Sequence, residues 1–402
     1  MMQLVKQMLA TVLAAACASQ ALAQNGVRPD SKQPFEIVRS LEAIQDQIVL
    51  GNQSARAKLP KLIDQLAQRL LAADRDVWRD SRNARAAVVF TLSGGPARVI
   101  RKAVDAGLSP APDLDLMRGA LAYVDGRESE AKQILLKIDA ESLPPPTGGH
   151  VAIIQSALIA KEDPRKAMRL LDLARISSPG TLIEETALRR ELVVADEIAD
   201  IDKFVILSRE YFWRFPNSVY FESFRQRFAA SVVHLGLASE PAQFAKVERL
   251  VGEGEKAGQL KLFLMIAKRS IVEGKASIAR LAACKAGEMA AEGSADRAQS
   301  ALYEAAALIL SNQFEDGLNK LNTVDPQHLP RDDAELREAV LALASSISED
   351  PAKAVNTAAA EPNGRKTADP QESSASASAT ALIDLVREKL AQADAALEGK
   401  QP

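Results

Sequence analysis

Five times along the chain, a turn residue is followed five positions later by a compact apolar residue or glycine, and nine positions later by a second apolar residue. The sets are Gly94, Val99 and Ala103; Gly126, Ala131 and Leu135; Glu162, Ala167 and Leu171; Gly274, Ala279 and Ala283; and Asn312, Gly317 and Leu321. Apolar intervals of three and four place these side chains on one face of a helix, so each set reads as two short amphipathic helices around a turn. The stretch "RGALAYVDGRESEAKQILLKIDAESLPP" holds most of one unit, with Leu121 and Tyr123, and Leu114 just upstream, before Gly126 and Ala131, Ile134, Leu135 and Ile138 after it. Gly126 accepts a left-handed turn without steric cost, and Gly119 and Ala131 are small where packed helices would approach closely. One such hairpin cannot bury its own apolar face and therefore needs neighbours.

The anchors Val99, Ala131, Ala167, Ala279 and Gly317 lie 32, 36, 112 and 38 residues apart. The long gap holds three units of about 37 residues, with two weaker units inside it near Phe204 and Phe244; such periods belong to tetratricopeptide-like helix-turn-helix repeats. About seven divergent hairpins are predicted within residues 81–345. Asp163 is a good N-cap with Pro164 at the first helical position, and Thr181 with Glu184 and Asp332 with Glu335 have capping-box spacing.

Strand-type alternation of Val, Ile and Thr is scarce and helix formers dominate, so the expected fold is all-α: a superhelical solenoid of tetratricopeptide-like hairpins with a disordered C-terminal tail. Residues 24–80 hold a further helical pair broken at Gly51, expected to cap the array. Residues 346–380, with "PNGRKTADPQESSASASAT", cannot bury enough apolar surface to offset ordering and read as a flexible linker. Residues 381–402 end the chain with an amphipathic segment carrying Leu382, Ile383, Val386 and Leu390 on one side.

The opening "MMQLVKQMLATVLAAACASQALAQ" has a positive Lys6, an apolar run from Met8 to Ala18 and the small-x-small signature Ala21-Leu22-Ala23. It reads as a secretory signal peptide, residues 1–23, cleaved after Ala23, with export from the cytoplasm of a Gram-negative cell. In "LAAAC" the leucine stands one place too far from Cys17 for a lipoprotein signal. No later run reaches the about 18 apolar residues of a membrane span. Signal removal leaves Cys284 as the one cysteine, so no intramolecular disulfide is expected, and "LAACKA" reads as a small buried thiol.

The net charge of −3 gives no basic footprint for nucleic acid. His150, His234 and His328 are too far apart in sequence for a metal-binding helix, so no metal is expected. His234, within "FAASVVHLG", reads as a core residue; His150 and His328 border Gly- or Pro-rich turns and read as solvated. "LSGGP" lacks the Lys-Ser/Thr of a phosphate loop, and Pro96 belongs at a helix start. Carboxylates interleave with Arg and Lys as on a solvated helical face. No catalytic or cofactor-binding residue emerges. The strongest anomaly is aromatic: six Phe, two Tyr and Trp213 lie between Phe204 and Phe228, nine of seventeen aromatics. Most are expected to fill the core of the middle repeats, with Tyr211, Trp213 or Tyr220 as candidates to protrude into a groove and anchor a partner.

The signal peptide, "IVRSLEAIQDQIVLGNQSA", "RDSRNARAAVVFTLSGG", "ALRRELVVADEIAD" and "REYFWRFPNSVYFESF" follow in order across roughly residues 35–235. In these segments the chain resembles the periplasmic flagellar motility protein C (MotC) family of rhizobia and related bacteria. That resemblance implies a non-enzymatic periplasmic protein which associates with the periplasmic part of the stator subunit MotB and is needed for motor rotation. It supplies no residue set for the contact. The runner-up is a general periplasmic scaffold for envelope assembly, since "RFPNSVYFESF" is a phrase common in tetratricopeptide proteins. A peptidoglycan-active enzyme would need a catalytic domain that no segment signals.

Overall fold

A computed structural model describes residues 33–252, 255–311 and 313–349. The signal peptide, most of the linker and the terminal amphipathic segment expected from sequence lie outside them. Among the described residues the fold is all-α, with seventeen α-helices and no sheet. α1 (Pro34–Val49) and α2 (Gln53–Ala72) come first, followed by α3 (Ser81–Leu92), α4 (Arg98–Ala106), α5 (Ala111–Val124), α6 (Glu128–Leu135), α7 (Thr147–Ile159) and α8 (Pro164–Ser177). Then come α9 (Leu182–Glu197), α10 (Ile201–Arg214), α11 (Phe221–His234), α12 (Pro241–Val251) and α13 (Lys256–Val272). α14 (Ala276–Met289), α15 (Ala295–Ile309), α16 (Phe314–Asn322) and α17 (Arg331–Glu349) complete the order.

The chain divides into two compact units, one holding the chain up to Ile44 with Lys58–Ile138, the other Gln45–Ala57 with the chain from Asp139. In the first, the pairs α3/α4 and α5/α6 pack in sequence, α3 against α5. Its core joins Ile37, Val38 and Leu41 of α1 to Leu66, Ala67 and Leu70 of α2 and to Ala86, Val89 and Phe90 of α3. In the second, the pairs α7/α8, α9/α10, α13/α14 and α15/α16 pack in sequence, and α17 packs on the last pair. Between them in the chain, α11 packs chiefly on α13, and α12 on α10 and α14. Each first helix touches the next first helix from α7 through to α17, and α10, α12 and α14 touch in turn. This layering of first and second helices is tetratricopeptide-like: every hairpin buries its apolar stripe against its neighbours.

The sequence anchors explain the layering. Val99, Ala131, Ala167, Phe204, Phe244 and Ala279 are buried, one on each second helix from α4 to α14. Gly126 has φ +76°, the left-handed turn its position demands. Asp163 caps α8 by accepting the Lys166 amide at 2.9 Å, and Asp200 caps α10 the same way at 3.1 Å. Gly317 completes the set on α16: a Cβ there would lie 2.7 Å from Ile309 Cγ1 and 2.8 Å from the Ile309 nitrogen. Gly317→Ala therefore forces α15 and α16 apart and should cost about 1–3 kcal/mol, read from the urea midpoint.

Two capping expectations fail. Thr181 precedes α9, but its hydroxyl donates to the Ser178 carbonyl, and Glu184 accepts from the Gly180 amide, one residue too early for a capping box. α17 begins at Arg331, which places Asp332 inside the first turn. Asp333 turns into the core instead, where it accepts from the Tyr303 hydroxyl at 2.7 Å and pairs with Lys268 at 2.9 Å. α17 also continues helically to Glu349, across the start of the expected linker.

Candidate interaction surface

The aromatic cluster occupies the junction of α10 and α11. Phe204, Tyr211, Phe212, Phe215, Phe224 and Phe228 are buried. Tyr211 stacks on Phe224 with ring centroids 3.9 Å apart, and Phe212 meets Phe224 edge-on at 5.0 Å. The hydroxyl of Tyr211 donates to the fully buried Glu185 at 2.6 Å, and the Ser218 hydroxyl donates to the same carboxylate oxygen. Burial and the neighbouring carboxylate push the Tyr211 phenol well above its usual range.

The three candidate rings therefore separate. Tyr211 is a core residue and does not protrude, because its hydroxyl has a buried partner at the inner end of the ring. Tyr220 is half-buried, its ring covered by the Arg189 guanidinium at 4.5 Å. Trp213 is 75 % exposed. It stands on α10, a second helix of its hairpin, opposite the buried stripe of Phe204, Leu207 and Tyr211.

Two further large apolar side chains, one on α10 and one on α8, are exposed, and neither is singled out by the sequence. Ile206 of α10 is 60 % exposed and Ile176 of α8 is 79 % exposed. Ile206 and Trp213 are seven residues apart, so they share a helical face within about 20°. That same rotation, applied to the sequence of α10, separates them from the buried stripe and could have found them. Leu50, 75 % exposed, belongs to the α1–α2 turn, where a Cβ on Gly51 would come within 2.5 Å of the Asn217 carbonyl.

Ion pairs hold α8 and α10 side by side. Arg175 pairs with Asp172 at 2.9 Å, with the fully buried Glu191 of α9 at 2.8 Å, and with Glu210 of α10. Lys203 of α10 pairs with Glu191 at 2.7 Å and Asp172 at 3.2 Å. Burial raises the Glu191 pKa above the usual carboxylate range, against the pull of both cations. Arg214 joins α10 to Glu184 of α9 at 2.8 Å.

Two of the three histidines reverse their expected settings, while His328 keeps its own. His234 is exposed at the last position of α11 and takes Asp196 at 2.8 Å, because Ser231, Val232 and Val233 hold the inward positions of that turn. His150 lies in the first turn of α7, where Gly148 and Gly149 approach the Ala140 carbonyl and Ile183 closely enough to seat the helix. Burial lowers its pKa to about 4, so it is neutral at pH 7. His328 is exposed beside Asp325. Cys284 is half-buried, and burial raises its thiol pKa, the opposite of an activated nucleophile. No group of three or more His, Cys, Asp or Glu among the described residues is placed to hold a metal ion, and no described helix is long and apolar enough to cross a membrane.

What the arrangement offers is a rigid helical face bearing isolated apolar anchors. The sequence profile of the family described as "Chemotaxis protein MotC" matches residues 1–402. The chain is 29 % identical over 369 residues to the Chemotaxis protein MotC of Rhizobium meliloti (strain 1021), covering 89 % of this chain and 84 % of that protein.

Proposed function

The chain belongs to the chemotaxis protein MotC family, and from that premise we propose that it works in the periplasm as a non-enzymatic motility protein, binding the periplasmic part of the stator subunit MotB so that the motor can turn. The match over the whole chain carries this reading. The repeat architecture supports it: hairpins held by buried contacts present a preorganised surface, which lowers the entropic cost of gripping a partner segment.

Deletion in the native host should leave flagella assembled and abolish swimming, with recovery on complementation. The purified protein should retain the periplasmic portion of MotB in a pull-down. Intact swimming together with altered outer-membrane composition would instead favour an envelope-assembly scaffold and overturn the motility reading.

A further inference from the structure

We propose that the outer face of α8 and α10 is the docking surface, and that its occupant is a helical segment of the stator subunit carrying two apolar side chains one heptad apart with carboxylates beside them. The proposal rests on the stator reading and deepens it by naming the surface. Ile206 and Trp213 stand on one stripe of α10, about 10 Å apart along the axis at the rise of an α-helix. Ile176 projects from α8, and the Arg175–Glu210 and Lys203–Asp172 pairs fix the two helices in register beside one another. Each of these apolar side chains is more than half exposed although its helix buries an apolar stripe on the opposite side. Exposed apolar side chains on two helices tied together by ion pairs are what a docking face requires, and tryptophan is among the residues most enriched at binding hot spots.

Charge chooses the occupant. On α8, Arg165, Arg169, Asp172 and Ile176 follow at intervals of four, three and four, so they form one stripe. Asp172 is already neutralised by Arg175 and Lys203, whereas Arg165 and Arg169 are exposed and pair with no carboxylate among the described residues. The exposed carboxylates at this end are Glu162 and Asp163, the latter capping α8, and Asp202 at the start of α10, and Lys161, Arg165, Lys166 and Arg169, all exposed, outnumber them. The free charge along the apolar stripe is thus positive, complementary to an acidic amphipathic segment. A helix with apolar side chains at i and i+7 would set one against Ile206 and Ile176 and the other against Trp213, with its acidic flank over the α8 guanidinium groups.

The test uses the full mature chain and the purified periplasmic portion of the stator subunit, with affinity measured by titration. Ile206→Asp with Trp213→Asp should weaken binding at least tenfold, as should Arg165→Glu with Arg169→Glu, the latter also flattening the salt dependence. Val124→Asp, an exposed apolar site outside this face, should bind as wild type. Unchanged thermal unfolding of the variants separates lost docking from lost folding. Wild-type binding with both double variants unaffected overturns the surface and leaves the stator reading standing. No binding by the wild-type chain overturns the stator reading and this assignment with it. A wild-type dimer that Ile206→Asp with Trp213→Asp dissolves, with stator binding intact, assigns the face to self-association and also overturns the proposal.

Discussion

Replacing Phe224 by alanine is expected to cost about 3–5 kcal/mol, the range for deleting a large aromatic from a packed interior. Phe224 is almost fully buried and stands at the centre of the cluster, stacked on Tyr211 at 3.9 Å and edge-on to Phe212 at 5.0 Å. Its loss removes contacts to both and opens a cavity that helices tied by ion pairs cannot close. The damage should also spread unevenly. In a stack of hairpins each unit is stabilised by its neighbours, so amide hydrogen exchange should quicken first in α10 and α11 while α14 and α15 keep their protection. Trp213→Ala makes the contrast: an exposed ring outside the core should change the urea midpoint by no more than the equivalent of about 0.5 kcal/mol. A cost under about 1 kcal/mol for Phe224→Ala would show that the aromatic junction does not hold these hairpins together.

That contrast also marks where sequence and structure part. The hairpins are legible because their anchors obey a steric rule: where α15 and α16 touch, only glycine fits at Gly317, and small residues recur at the equivalent positions of other units. The aromatic stretch obeys no such rule, since a ring is equally at home in the core or at an interface. Only the rotation of α10 divides it. Phe204, Leu207 and Tyr211 form the buried stripe, and Ile206 and Trp213 fall on the opposite side. Tyr211 is ambiguous in sequence because its phenol needs a polar partner, and Glu185 supplies one from α9, twenty-six residues away. The expectation for His234 fails for a related reason. An apolar run such as "FAASVVHLG" does not say where a helix ends, and His234 lies on the last turn, where one position further round is already solvent. Pairing across hairpins is the least legible feature: nothing local in "RRELVV" reveals that Glu191 is buried between Arg175 and Lys203.

That buried carboxylate makes Arg175→Met the second large effect. Arg175 spans α8, α9 and α10 through Asp172, Glu191 and Glu210, and Glu191 has no exposed surface. Removing the cation leaves Glu191 with Lys203 alone, and breaking a buried pair from one side costs about 3–5 kcal/mol; the remaining lysine puts the expectation near the lower end. The cost should depend on pH in a fixed direction. Burial already raises the Glu191 pKa in the folded chain, and loss of a neighbouring cation raises it further. Between the unfolded carboxylate value and that raised value the native state binds more protons than the unfolded state, so stability falls as pH rises through the window. The Arg175→Met penalty should therefore be largest near neutrality and shrink on acidification. Adding Glu191→Gln should recover part of it at pH 7, because the uncompensated charge is gone. Urea unfolding of the single and double variants at neutral and acidic pH measures this, and a penalty that grows on acidification would reverse the assignment of Glu191 as the stranded charge. Because the same ion pairs set α8 beside α10, the single variant should also loosen the face bearing Ile176, Ile206 and Trp213, weakening partner capture without touching an exposed anchor.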